Sequence, residues 1–90
     1  MSSIHDFRAH YIPKIEKVDF IVPERIREAC IYRGYTYKEA AEKCEIDYRE
    51  FGAYANDRKK IPEEIIFNLM RGLRFPKEFF YNLKWNRVDY

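Results

Sequence analysis

Two helix starts follow one another closely in the middle of this chain, and their closeness constrains the fold more than any other feature. Thr36-Tyr37-Lys38-Glu39 has the form of a capping box, in which the threonine hydroxyl and the glutamate carboxylate each satisfy a backbone N–H that the first helical turn leaves unpaired. Asp47-Tyr48-Arg49-Glu50 repeats the device. Between the two caps Ala40, Ala41 and Cys44 fall on one face of a helix, and after the second cap Phe51 and Tyr54 supply the next inward positions, with Ile46 just before it. The spacing predicts a helix over 37–44 and another over 48–55, separated by a turn of about three residues.

Two short capped helices joined in this way are the sequence form of a helix-turn-helix. A helix over 23–33 precedes them: Pro23 needs no N–H in a first turn, Ile26, Ala29, Cys30 and Arg33 share a face, and Gly34 supplies the stop. A fourth helix opens at Pro62 and carries the clearest helical period, through Ile65, Ile66, Leu69, Met70 and Leu73. Pro76 restarts the chain for a final turn through Phe79, Phe80 and Tyr81. The expected domain is therefore all-α, a compact five-helix unit over residues 23–82. Residues 1–22 form an N-terminal arm around Pro13, with a short strand over Val18 to Val22, and residues 83–90 form a tail whose Leu83, Trp85, Val88 and Tyr90 alternate as a strand would.

Ninety residues hold one such domain. The balance of 17 Lys plus Arg against 15 Asp plus Glu leaves a net charge of only +2, so any surface that attracts nucleic acid has to be local. Cys30 and Cys44 come without a Cys-x-x-Cys or a paired-histidine motif, and read as buried free thiols rather than as a zinc site or a disulfide. His5 and His10 stand alone on the arm, and no nucleophile, base or phosphate-cradling glycine loop assembles into a recognisable frame; neither catalysis nor a cofactor is expected. No apolar run approaches the roughly 20 residues that span a bilayer, and the polar start of the chain is unlike a signal peptide, so a cytoplasmic location without membrane contact is expected.

Residues 25–80 resemble the Xre- and Cro-like, lambda-repressor-type helix-turn-helix family of bacteria and phages. The resemblance rests on Arg25 to Ala29, on Arg33-Gly34-Tyr35-Thr36, on Glu39 to Cys44, and on Ile46, Tyr54, Asn56, Arg58-Lys59-Lys60, Leu69, Leu73 and Phe75 to Phe80. It implies a transcriptional repressor that lays the helix over 48–55 in the major groove of double-stranded DNA. Carried over by position, Tyr48, Arg49, Gly52 and Lys59 face base edges, and Tyr37, Lys38, Asn56, Arg58 and Lys60 face phosphates. Arg49 is the prime candidate, because its planar fork matches guanine O6 and N7. The segment Phe75 to Phe80 is most similar to members associated with a zinc metallopeptidase; this chain has no His-Glu-x-x-His, so the resemblance implies at most a separate peptidase as partner.

The chain departs from the family at Tyr37, usually glutamine, at Glu45, usually glycine, and at Ala55 and Asp57, usually glutamate and glycine. Asp47 and Glu50 place carboxylates beside the reading surface. They favour a second reading, in which the same fold serves as a protein-binding module: an antirepressor, an antitoxin-like inhibitor or the regulatory subunit of a peptidase. Gly52 within a helix implies close approach by DNA, a partner or the first helix. The aromatic set Phe7, Tyr11, Phe20, Phe75, Phe79, Phe80, Tyr81 and Trp85 exceeds what five short helices easily bury, and a homodimer built from arm and tail is expected to use the excess.

Overall fold

The computed structural model describes residues 17–83. Over them the chain is all-α, with α1 (Pro23–Arg33), α2 (Tyr37–Cys44), α3 (Tyr48–Ala55), a 3-10 turn (Glu63–Ile65) leading into α4 (Ile66–Leu73), and α5 (Lys77–Phe80). The fourth helix thus starts later than its first proline: Pro62 is extended at ψ 138°, and a tight turn closed by the Ile65 N–H on the Pro62 carbonyl precedes the α-helical part. Such 3-10 turns are common at helix starts, where donors lack partners inside the helix.

The first predicted capping box forms in full and the second only in its Asp47 half, because the Glu50 carboxylate turns to Tyr54 and Lys59 instead of the Asp47 N–H. The Glu39 N–H donates to the Thr36 hydroxyl at 3.1 Å and the Thr36 N–H to the Glu39 carboxylate at 2.9 Å. Asp47 accepts from the N–H groups of Arg49 and Glu50 at 3.0 and 3.3 Å. Gly34 ends α1 in the left-handed region at φ 74°. The other left-handed residues are not glycines: Glu45 ends α2, Arg74 ends α4, and Asp57 lies just beyond α3.

One core gathers the inward faces. Ile26, Cys30, Phe51, Leu69, Leu73 and Phe80 are fully enclosed, and Ala40, Ala41 and Cys44 face them from α2. Phe75 stacks on Phe79 with ring centres 4.2 Å apart, and Phe79 meets Phe80 edge to face. The aromatic cluster at the end of the domain is therefore core, whereas Phe20 and Leu83 remain exposed. Phe7, Tyr11 and Trp85 lie outside the described residues.

The strand anticipated over Val18 to Val22 does not form. Lys17 makes a single antiparallel bridge with Asn82, the Val18 and Val22 N–H groups donate to the Tyr81 and Phe80 carbonyls, and the chain bends at Asp19 and Phe20 between them. Ile21 and Val22 are both buried, which a strand with alternating faces does not permit. The strand expected in the tail lies, apart from Leu83, outside the described residues.

One close helix contact is one that periodicity missed. A Cβ on Gly72 of α4 would lie 2.4 Å from the Cys44 sulfur and 2.7 Å from the Cys44 backbone. Next to it the Asn68 side-chain amide donates to the Cys44 carbonyl at 2.9 Å, so α4 both touches the end of α2 and caps it. A Cβ on Gly52 of α3, by contrast, meets nothing within 4 Å; packing against the first helix is not what that glycine serves.

These two glycines should respond with opposite signs in urea denaturation. Gly72→Ala should destabilise the fold by ~1–3 kcal/mol through overpacking against α2 backbone, whereas Gly52→Ala should stabilise it by roughly 0.5–1 kcal/mol through helix propensity. Equal effects would show that the α2–α4 contact is looser than described.

Burial pushes the thiol of Cys30 up to about 11 and that of Cys44 up to about 12, from an ordinary value of 9.0. An unfolded chain gives up these protons first, so their contribution to stability is complete below pH 9 and is lost as pH rises towards 11–12. The urea midpoint should accordingly hold steady from neutrality to mild alkalinity and fall above pH 9, less steeply after Cys44→Ala. A midpoint indifferent to pH across that range would contradict the burial of the thiols.

Candidate nucleic-acid interface

Helix α3 is short enough for its faces to be resolved residue by residue. Phe51, Tyr54 and Ala55 are buried. With about 100° of rotation per residue, the opposite face is centred on Arg49 and includes Gly52, Ala53 and Asn56. Arg49 and Asn56 are exposed, while Gly52 and Ala53 are half-buried between them. The result is a shallow notch of two small residues, with a guanidinium on one side and a carboxamide on the other. Ala53 was not among the sequence-derived candidates; its small size and its place on the same face are the signals that mark it.

The other expected base-facing residues divide. Tyr48 opens α3 with 56% of its surface exposed, next to Arg49. Lys59 lies in the following turn but is engaged: its ammonium is 3.3 Å from the Glu50 carboxylate and 5.9 Å from the centre of the Tyr54 ring. The Tyr54 hydroxyl donates to the other oxygen of Glu50 at 3.1 Å. Burial, then the bond and charge of Glu50, raise the Tyr54 phenol above its ordinary value and keep it a donor. Glu50 therefore sits on the flank of α3, held by a phenol and an ammonium.

Of the neighbouring carboxylates, Asp47 and Glu45 are likewise engaged, and Asp57 is not. Asp47 faces into the first turn of α3, where amide donors and the helix dipole take up part of its charge. Glu45 is 3.4 Å from the Arg71 guanidinium, away from the notch residues on α3. Asp57 is exposed at φ 57° and makes the turn after α3, with the Arg58 N–H reaching back to the Ala53 carbonyl at 2.8 Å.

Among the positions expected to face phosphates, Lys38, Asn56, Arg58 and Lys60 are all exposed. Neither these three cations nor Arg49 has an ion-pair partner among the described residues. Tyr37 behaves differently. It is half-buried, its ring 5.8 Å from that of Phe51 in an edge arrangement, and it wedges the start of α2 against α3. Its ring thus serves packing.

Two arginines of α1 fix the interface from behind. Arg27 donates to the Ala55 carbonyl at the end of α3, and Arg33 donates to the Leu73 carbonyl at 2.8 Å and to the Arg74 carbonyl at the end of α4. Each supplies a donor to carbonyls that a helix C-terminus leaves unpaired. Among the described residues no cluster of His, Cys, Asp and Glu is arranged to hold a metal, and no helix is long and apolar enough to cross a membrane. No family model, curated protein or solved structure matches the chain. The functional reading accordingly rests on the geometry of α3 and its surroundings.

Proposed function

We propose that this chain is a sequence-selective DNA-binding regulator of transcription that inserts α3 into the major groove. One observation carries the reading: the outward face of α3 presents the unpaired Arg49 beside the Gly52–Ala53 notch, with the exposed and unpaired Arg58 and Lys60 in the turn that follows and Lys38 at the start of α2, while Asp47 and Glu50 are occupied by the protein itself. Arg49 reads guanine, Tyr48 and the notch accept neighbouring bases, and Lys38, Arg58 and Lys60 together with Asn56 contact phosphate. Lys59 has to leave Glu50 to reach a base, which makes it the weakest of the four readers. Two copies reading a two-fold site would suit an α3 of eight residues, too short to cover more than a half-site.

A second reading, docking to another protein, draws on different surfaces. Ile31 is 78% exposed on α1 and Phe67 63% exposed on α4, both apolar and both outside the notch. Single exposed apolar residues are common on monomeric proteins, so they weigh less than the α3 face.

Binding to a selected site and to random duplex, across a salt series, separates the two readings. Arg49→Ala should lose ~1–3 kcal/mol on the selected site and little on random DNA. Lys60→Ala should weaken both alike and reduce the salt slope by about one unit, as one fewer counterion is released. If affinity for every duplex stays near ~10⁻⁴–10⁻⁶ M, the DNA reading fails and docking to a protein takes its place.

A further inference from the structure

We propose that the chain carries a second binding site, a cationic pocket for the phosphate group of a small molecule, where α2 and α4 end side by side. Tyr35, Lys43, Arg71, Gly72 and Arg74 line a cavity of about 370 Å³. Lys43 comes from the last turn of α2, Arg71 from the last turn of α4, and Arg74 from the residue that ends α4. The Lys43 ammonium rests 5.1 Å from the centre of the Tyr35 ring, which fixes one charge on the pocket wall.

Positive side chains near helix C-termini are ordinary, because they face carbonyl ends. Here the last carbonyls already have other donors: Asn68 takes the Cys44 carbonyl of α2, and Arg33 takes the Leu73 carbonyl of α4 and the Arg74 carbonyl after it. Arg74 also occupies φ 61°, a conformation that glycine enters at less cost, and its guanidinium has no ion-pair partner among the described residues. The fold thus keeps an arginine where its backbone favours glycine, beside two further cations.

One pocket cation is paired: Glu45 lies 3.4 Å from Arg71, the Arg71 and Glu45 side chains being 62% and 73% exposed. Such a pair is screened by water and opens readily. Glu45 is in effect a weak internal occupant, which a stronger anion can displace from Arg71. Phosphate suits the site because its oxygens accept from two guanidinium forks and an ammonium together. The Tyr35 ring offers a flat wall to whatever the phosphate carries. Lys43 is five residues beyond Lys38 on α2, about 140° further round the helix, so the pocket opens on a different side from the proposed DNA contact of Lys38.

The test is a titration of the full chain, free of DNA and in chloride buffer, followed by amide NMR, with inorganic phosphate, pyrophosphate and AMP as separate probes. Saturable shifts are expected at Tyr35, Gly72 and Arg74, weakened about tenfold in Lys43→Gln/Arg74→Gln and strengthened about threefold in Glu45→Gln, which removes the competing carboxylate. AMP binding more tightly than phosphate identifies an organic phosphate as the ligand; equal affinities identify the free anion. Shifts that do not saturate, that spread equally to Lys38, Arg49 and Lys60, or that survive the double substitution would overturn the proposal. Because no DNA is present in the main titration, the outcome does not depend on whether α3 reads bases.

Discussion

The approach of α4 to α2 at Gly72 and Cys44 is the constraint on which the rest of the structure depends. A side chain at Gly72 would overlap the sulfur and backbone of Cys44, so the helices meet almost backbone to backbone. That leaves the Asn68 amide in reach of the Cys44 carbonyl and Arg71 in reach of Glu45. The end of α2 is thereby fixed in position, and with it the turn that launches α3. Loosening this contact would move α3 relative to everything that surrounds it.

The same logic continues behind the interface. Helix α3 has only eight residues and offers little intrinsic stability. It is held by the Asp47 cap at one end, the Arg27 donor at the other, and Phe51 and Tyr54 in the core. Its outward face is consequently free of structural duty, and small residues at Gly52 and Ala53 cost the core nothing. Charge is managed in parallel. Of the acids that seemed to oppose DNA binding, Asp47 is used as a cap and Glu50 as partner of Lys59 and Tyr54, while Lys38, Arg49, Arg58 and Lys60 have no ion-pair partner among the described residues.

Much of this was legible in the residues. Helix positions followed from Pro23, the two capping devices and the period from Ile65 to Leu73, because those signals are local and each has one structural meaning. What the sequence hid was relational. Gly72 read as one more residue of an amphipathic helix, since only the path of α2 reveals why a side chain is excluded there. Gly52, expected to mark close approach, turned out open on the protein side. Glu45 and Arg74 end their helices, and Asp57 turns the chain after α3, in the left-handed region without the glycine that would announce it. Glu50 looked like an obstacle until Tyr54 and Lys59 were seen to hold it. Tyr37, a phosphate candidate by position, also packs its ring edge-on against Phe51, a contact its place in the sequence did not announce. The apparent strand at Val18 to Val22 failed because Ile21 and Val22 both turn inward, a choice made by the core and not by alternation.

The claim that α3 is a base-reading helix is tested most directly by selection of bound fragments from a random duplex pool with the purified chain. The account predicts convergence on a short motif containing a guanine, with protection of the major-groove N7 at that guanine from methylation in the complex. A pool that remains random after repeated rounds, or a motif whose guanine N7 stays fully reactive in the complex, would contradict it.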